Sequence, residues 1–156
     1  MIKEGYTSNE RIKEESDFLR GNISGLLHDG GITHFPSEEE FLLKFHGITQ
    51  QDNRDERLIR KKNGQERNWL FMLRLRLPGG RMTPSQWLAA ETLSDQFGNG
   101  SLKLTTRQAI QIHGVVKQDL KQTMKDIHHA AITTIAASGD ATRNVMVSLH
   151  LSLIHI

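Results

Sequence analysis

Five polar side chains in residues 103–113 have the types and the spacing to bind an anion together. They all fall on odd numbers and are Lys103, Thr105, Arg107, Gln111 and His113. Ala109 is the one apolar residue among the odd positions, whereas leucine and isoleucine fall on even numbers. Successive side chains of a strand point to opposite faces, so the odd residues are expected to share one face.

This predicted face offers cations and hydrogen-bond donors without a carboxylate. Such a donor set suits a ligand that is rich in carboxylates or phosphates. The alternative is an ordinary exposed face, because antiparallel sheets commonly keep one face in water. The residues of this stretch by themselves leave both interpretations open.

Arg74 and Arg76 form a second candidate anion site. They lie on one face of a predicted strand, 69–77, in which most other residues are apolar. Burial of a guanidinium without a partner is unfavourable, so an anion is expected beside them. If the strand lies at the edge of a sheet, water could solvate both arginines instead.

Several other polar residues fit structural roles better than catalytic ones. His128 and His129 are adjacent, so on a helix they point about 100° apart and cannot readily clamp one metal ion. Asp52 and Asp55 fit a solvated face or arginine partners better than an acid/base pair. No metal site is predicted. The sequence has no cysteine, which excludes disulfides and a cysteine-held iron–sulfur cluster within this chain.

The composition is that of a globular chain with an uneven charge distribution. Of 156 residues, 37% are hydrophobic and 24% are charged, and no apolar run approaches the roughly 20 residues of a membrane span. No membrane association is expected, and the lack of a secretory-type start predicts a cytoplasmic location. Residues 54–81 carry nine Lys/Arg against three Asp/Glu, which indicates an anionic partner. Nucleic acid is disfavoured because few aromatic residues accompany these cations.

The first half of the chain gives weak element signals. A helix is expected over 8–20, where Thr7 and Glu10 have capping-box spacing, followed by an irregular arm over 21–36 with a short helical turn. The apolar run 41–46 predicts a short strand. The polar stretch 50–65 predicts a solvated connector or an arm that lies on another surface.

The second half of the chain is more regular. The strand 69–77 ends at Pro78, and Thr83 and Pro84 then predict the start of a helix that runs to about Phe97. Residues 102–113 are expected to form either one long strand or a hairpin, and a last helix is expected over about 119–131. This order predicts an α+β fold with helices packed on one face of a sheet.

Six sequence blocks, in order along the chain, resemble the sirohaem-dependent nitrite/sulfite reductase family. They are ERIKEESDFLRG (10–21), KFHG (44–47), QQDNRDER (50–57), FMLRLRLPGG (71–80), LKLTTRQAIQIHGVVK (102–117) and GDATRNVM (139–146). They are similar to the N-terminal part of the sulfite reductase haemoproteins, the β subunits of that family. His113 and Gly114, which follow the TTRQ residues in the fifth block, favour the sulfite branch over assimilatory nitrite reductases. The resemblance implies six-electron reduction of sulfite to sulfide at a sirohaem coupled to a 4Fe–4S cluster.

The resemblance also implies roles for individual residues. Arg74 and Arg143 would bind the sulfite oxygens. The sirohaem carboxylates would be contacted by Lys103, Thr105, Arg107, Gln111 and His113. The ligands of the 4Fe–4S cluster would lie outside this sequence, so this chain alone is expected to be inactive. Either a flavoprotein subunit or ferredoxin would supply the electrons.

The expected fold is thus an α+β ferredoxin-like half-domain of a nitrite/sulfite reductase, preceded by an extended N-terminal arm and truncated. The arm would span 1–65 with one helix, the half-domain 66–131, and the start of a sirohaem-binding domain 132–150. The apolar end, 151–156, resembles translated adapter sequence and is expected to be an artefact. Two alternatives stay open: a ferredoxin-dependent sulfite or nitrite reductase, and a stand-alone anion-binding or nucleic-acid-binding module.

Overall fold

The fold is taken from a computed structural model that describes residue 5, residues 7–139 and residues 143–148. Four strands form one antiparallel sheet in the described part of the chain, in the order β1-β2-β4-β3. They are β1 Ile48–Asp52, β2 Trp69–Leu75, β3 Leu102–Leu104 and β4 Ile110–Val115. The predicted tail 151–156 lies outside the described residues, and so do 140–142 and 149–150 of the predicted third domain.

Six helices accompany the sheet within the described residues. They are α1 Ser8–Glu15, α2 Ile23–His28, α3 Ser37–Leu43, α4 Arg54–Lys62, α5 Pro84–Phe97 and α6 Lys117–His129. Helices α5 and α6 contact each other and pack on one face of the sheet. The core lies between them and this face, where Leu73 and Leu75 of β2 meet Leu93 of α5 and Ile127 of α6. The α+β prediction with helices on one sheet face is confirmed.

Helix α5 begins and ends where the sequence predicts. The Thr83 hydroxyl accepts a hydrogen bond from the backbone N–H of Gln86, and the Gln86 side chain accepts one from the backbone N–H of Thr83. Proline at the first position needs no donor partner, which suits Pro84 to this place. The last helix is displaced from the prediction by two residues at each end, since α6 spans Lys117–His129.

The predicted strand over 41–46 is wrong. Helix α3 covers Ser37–Leu43, and a 3₁₀ turn, Lys44–His46, follows it. Three glutamates in the first turn of α3 suit the positive end of a helix dipole, and the rings of Phe41 and Phe45 pack edge to face, 5.4 Å apart, at helical spacing. A short apolar run fits a buried helix as well as a strand, and here the glutamates that precede the run favour the helix.

The predicted solvated connector over 50–65 is also wrong. It supplies most of edge strand β1 and the whole of helix α4. The strand forms because β2 satisfies its backbone and because the buried Gln50 side chain bonds the backbone N–H and carbonyl of Phe35, at 2.7 and 3.1 Å. Helix α4 has no buried residue and is supported by its Asn53 cap and by ion pairs. Neither the pairing of β1 nor the polar contacts of α4 produce an apolar pattern in the sequence.

Helix α1 is shorter than predicted. Its capping box forms, but the helix ends at Glu15 rather than at Arg20. Asp17, Phe18 and Leu19 take left-handed backbone angles, with φ of 48°, 58° and 65°, which a right-handed helix excludes. The predicted helical turn in the following arm is α2.

Gly47 lets the chain after the last helix approach the sheet closely. It has φ +78°, and a Cβ on it would lie 2.3 Å from the carbonyl oxygen of Thr134. The Gly47 carbonyl accepts a hydrogen bond from the backbone N–H of Arg74, while Arg76 pairs with Thr133 in an isolated bridge. Residues 133–137 thus run beside the arginines of β2.

Candidate functional site

The sheet places three of the sequence-predicted side chains in one row across its strands. Gln111 of β4 lies opposite Lys103 of β3 on one side and opposite Arg74 of β2 on the other. Directly opposite residues of antiparallel strands share a face, so the row is one surface. The opposite face carries Ile110 and Ile112, which are buried against the helices. The predicted separation of polar and apolar residues therefore exists in the fold.

Residues 102–113 form a hairpin rather than one long strand. Strands β3 and β4 are joined by the turn 105–109, which is closed by hydrogen bonds from Thr105 N–H to the Ala109 carbonyl and from Gln108 N–H to the Thr105 carbonyl. Gln108 has a left-handed φ of 55°. In this hairpin even-numbered residues pair with even-numbered ones, as Leu102 does with Ile112. The odd-numbered side chains of both strands therefore lie on the same face.

The Gln111 amide connects Arg74 to His113. The orientation that satisfies its neighbours directs Oε1 to the Arg74 guanidinium, 2.6 Å from Nη2 and 3.1 Å from Nε, and directs its N–H to His113 Nε2 at 3.1 Å. His113 Nε2 accepts this bond, so in the neutral ring the proton lies on Nδ1. Gln111 thereby fixes one side of the Arg74 guanidinium and one nitrogen of the imidazole.

A segment after α6 closes the open side of this surface. Arg74 Nη1 donates to the Ala137 carbonyl and Arg143 Nε donates to the Gly139 carbonyl, each at 3.4 Å. Asn144 is buried, and its amide nitrogen contacts the carbonyl oxygens of Leu77 and Arg107, both at 2.8 Å. Arg143 is thereby held beside the β2 and hairpin arginines although it is 69 residues from Arg74 in sequence.

A cavity of about 170 Å³ lies between the hairpin, β2 and this segment. Five of the sequence-predicted site residues line it: Arg74, Thr105, Arg107, Gln111 and Arg143. The other lining residues are Thr106, Ala109, Ala137 and Asn144. Lys103 and His113 lie in the adjoining sheet surface rather than in the cavity wall. We call this space the basic cavity.

The basic cavity concentrates positive charge. Burial lowers the pKa of Arg74, and the nearby Arg143 and Arg107 lower it further. Burial also lowers the pKa of His113, with smaller contributions from Lys103 and Arg74. Within residues 7–139 and 143–148, no carboxylate lies at ion-pair distance from Arg74, Lys103, Arg107 or Arg143. An anion in the cavity would relieve this repulsion.

Arg76 points to a different environment from Arg74. Its Nη1 donates to the Ile135 carbonyl at 3.4 Å, and it does not line the basic cavity. Two residues that sequence reasoning did not single out, Asn144 and Gln108, bond to the backbone around the cavity. Both stand directly after a predicted site arginine, which is the signal that could have found them.

A second and larger cavity has a different character. It measures about 510 Å³ and lies against α2, α6 and the chain around α3, and its surface is mainly apolar. None of the predicted site residues lines it. The described residues include no group of three or more His, Asp or Glu side chains placed to hold a metal ion. No helix among them has both the length and the apolar character to span a membrane.

Comparison with known proteins agrees with this geometry. Residues 63–130 match the family described as the nitrite/sulfite reductase ferredoxin-like half domain. The chain contains such a half domain. It includes β2, the β3–β4 hairpin, α5 and α6, and hence every predicted site residue except Arg143.

Curated relatives extend the similarity along most of the chain. The chain is 56% identical over 144 residues to the "Sulfite reductase [NADPH] subunit beta" of Saccharomyces cerevisiae, which covers 90% of this chain and 10% of that protein. It is 49% identical over 137 residues to the "Sulfite reductase [NADPH] hemoprotein beta-component" of Bacillus subtilis, covering 88% of this chain and 24% of that protein. The chain thus spans a tenth to a quarter of the length of these relatives.

A solved structure shares the fold. The Mycobacterium tuberculosis NirA protein superposes with a TM-score of 0.71 over 91% of this chain and 27% of the NirA chain, at 17% sequence identity. At this identity the match supports the fold alone. The similarity to sulfite reductase haemoproteins expected from the six sequence blocks is confirmed by the curated relatives.

Proposed function

We propose that this chain forms part of the substrate and cofactor site of an assimilatory sulfite reductase haemoprotein. The observation that carries the proposal is the basic cavity, because it brings together arginines from β2, the hairpin and the 143–148 segment without a carboxylate among the described residues. Sulfite is a small oxyanion whose charge and acceptors match such a donor set. Arg74 and Arg143 are assigned to its oxygens.

The sirohaem carboxylates are assigned to the remaining donors. Those donors are Lys103, Thr105, Arg107, Gln111 and His113. The donor set fits the group, since a porphyrinoid with several carboxylates needs cations and N–H donors spread over a surface, and the row from Lys103 to Arg74 extends across three strands. When bound, sirohaem coupled to a 4Fe–4S cluster would relay to sulfite the six electrons, taken from an external donor, that convert it to sulfide.

The chain's own contribution is charge and orientation. Arginine stays protonated at working pH even when burial lowers its pKa, so Arg74 and Arg143 would hold the oxyanion with fixed N–H donors. Donors that are already in place can stabilise charge that moves onto oxygen as S–O bonds break. The three oxygens leave as water, which requires six protons, and the cationic cavity would lower the pKa of any water that donates them.

The cluster and the electron donor would come from elsewhere. The sequence has no cysteine, so thiolate ligands to a 4Fe–4S cluster must be supplied by other segments. The names of these relatives contain NADPH, which favours a flavoprotein partner over ferredoxin as the electron source. A cytoplasmic location is part of the same proposal. The 156-residue chain alone is expected to be inactive.

The test uses a full-length protein that contains this chain. Its absorption spectrum should show sirohaem bands, and it should reduce sulfite with electrons from reduced flavoprotein. Arg143→Ala should reduce kcat/KM for sulfite by roughly 100-fold with the sirohaem bands retained, because one charge-assisted contact to the substrate is lost. Arg54→Ala removes an exposed arginine of α4 and is the matched control.

Two results would contradict the proposal, and a third would change the electron donor. A full-length protein without sirohaem bands would favour a stand-alone anion-binding or nucleic-acid-binding module. Unchanged sulfite kinetics in Arg143→Ala and in Arg74→Ala would remove the basic cavity from the substrate site. Turnover with ferredoxin but not with flavoprotein would assign the protein to the ferredoxin-dependent class.

A further inference from the structure

Two arginines of the basic cavity are each followed by an amide side chain that bonds to the other arginine's segment. Arg107 precedes Gln108 in the hairpin turn, and Arg143 precedes Asn144 in the segment after α6. In both dipeptides the arginine lines the cavity and the amide contacts backbone across it. The two dipeptides therefore hold each other in place, and we call this pair of contacts the brace.

Asn144 provides the buried half of the brace. Its Nδ2 lies 2.8 Å from the carbonyl oxygens of Leu77 and Arg107 and 3.0 Å from that of Gln108. An amide nitrogen has two hydrogens, so at least one is shared between two carbonyls. One side chain thus joins the end of β2, the hairpin turn and its own segment. Its neighbour Arg143 is fixed relative to all three.

Gln108 provides the more exposed half. Its Oε1 accepts from the Val147 backbone N–H at 3.0 Å, and its Nε2 donates to the Val147 carbonyl at 2.8 Å. Residues 143–148 belong to no helix or strand, so such bonds take the place of a regular ladder. Gly79 N–H adds a bond to the Val145 carbonyl at 2.8 Å. The segment is thus tied at Asn144 itself and at two residues that follow it, Val145 and Val147.

The electrostatics indicate why a brace is needed. Arg107 and Arg143 carry like charges in one small cavity, and both repel Arg74. Without a bound anion, free side chains and a free segment would move these cations apart into solvent. Gln108 holds a left-handed backbone conformation that is unfavourable for a residue with a Cβ, and its two bonds to Val147 offset this.

We propose that Asn144 and Gln108 are positioning residues, which hold Arg143, assigned to the oxyanion, and Arg107, assigned to a sirohaem carboxylate, at a fixed spacing in the basic cavity. The inference rests on the proposed function, since it concerns the same cavity. Preorganised donors bind more tightly because less conformational freedom is lost on binding. The two amides do not need to touch the anion for this effect.

The experiment uses the 156-residue chain and inorganic sulfate as the probe. Gln108→Met removes both bonds to Val147 with little change in volume, and Gln108→Gly removes them while favouring the left-handed backbone. Gln122→Met makes the same chemical change on the exposed face of α6, where Gln122 bonds Asp126, and is the control. Asn144→Ala tests the buried half, and its fold is checked by circular dichroism.

Sulfate affinity and backbone motion are measured by NMR in each variant. Both Gln108 variants should weaken sulfate binding roughly 3- to 10-fold, and Gln122→Met should not. In an Arg143→Ala background, Gln108→Met should add little, because the brace acts through Arg143. A merely structural role would weaken binding equally in both backgrounds, which would overturn the proposal.

A second readout needs no anion. In the Gln108 variants, hydrogen exchange at the Val147 N–H should accelerate, and the Arg143 Nε–H should show faster internal motion than in the original chain. Unchanged motion of Arg143 and Arg107 in both Gln108 variants would overturn the brace whether or not sulfate binds. If the original chain binds no sulfate while the motions change as expected, the brace stands and the assigned anion site is wrong.

Discussion

Arginines occur in two contrasting settings in this molecule. Two arginines of α4 form ion pairs with carboxylates. Arg57 pairs with Asp52 through two hydrogen bonds, and the Arg60 guanidinium lies 3.7 Å from the Glu56 carboxylate. In the basic cavity, Arg74, Arg107 and Arg143 have no carboxylate partner among the described residues. Arg57, Arg60 and Arg74 all belong to the basic stretch 54–81, so the net charge of that stretch does not distinguish the two settings.

The pKa shifts in the two regions have opposite directions. Asp52 raises the pKa of Arg57 through its hydrogen bond, whereas burial and like charges lower the pKa of Arg74. A cation whose charged form is stabilised internally has a structural role. A cation whose charged form is destabilised by its surroundings is stabilised by an external anion. The presence or absence of a carboxylate partner, rather than the residue type, thus distinguishes the candidate anion site from the structural ion pair.

The largest expected effect concerns anion affinity. Arg74→Met in the 156-residue chain should weaken sulfate binding roughly 10- to 100-fold, because it removes charge-assisted hydrogen bonds. Arg57→Met makes the same change at a paired arginine and should leave the affinity unchanged. Isothermal titration calorimetry checks both. Equal losses in the two variants would mean that sulfate responds to overall charge rather than to the basic cavity.

Anion binding should also stabilise the fold. At ten times its dissociation constant, sulfate is expected to raise the free energy of unfolding by about 1.4 kcal/mol, since it binds only the folded chain. This corresponds to about 3–6 °C in the melting temperature. The measurement is thermal unfolding at constant ionic strength, with chloride replaced by sulfate. The rise should persist in Arg57→Met and largely disappear in Arg143→Ala.

Without sulfate, the two arginines should differ in their effect on stability. Arg57→Met should lower the free energy of unfolding only slightly, because the Arg57 side chain is about half exposed and its pair with Asp52 is screened by salt. Arg74→Met should leave it unchanged or raise it, because like-charge repulsion is removed. Urea unfolding of both variants decides this. A larger loss in Arg74→Met than in Arg57→Met would contradict the comparison.

The smallest expected effect is on pH dependence. The pKa of His113 is below its ordinary value of about 6.5, so the unfolded chain takes up this proton first as the pH falls. The contribution of His113 is therefore complete above that ordinary value and decreases as the pH falls toward the folded pKa. His113→Gln should lose less stability than the original chain between about pH 7 and pH 5. His129→Gln, on the exposed end of α6, controls for removal of an imidazole.

Elements whose signals are local could be predicted from the sequence. The start of helix α5 is predicted because Thr83, Pro84 and Gln86 cap it through contacts within one turn, and its end is predicted because Gly98 follows Phe97. The strand with Arg74 and the alternation of residues 103–113 were likewise predicted from period two. Strand β1 is not predicted, since its support comes from Gln50 bonding Phe35 and from pairing with β2, which are distant in sequence. Helix α4 is not predicted because its Asn53 cap and its ion pairs produce no apolar periodicity.

The sequence by itself determined which residue types could bind an anion and which of them share a strand face. It did so because the alternation of side chains along a strand is a local property of the backbone. Only the tertiary structure decided that Arg143 joins Arg74, that Lys103 and His113 lie beside the cavity, and that Arg76 is directed elsewhere. Those outcomes depend on where the segment after α6 lies, and that is set by Gly47 admitting Thr134 and by Asn144 bonding three distant carbonyls.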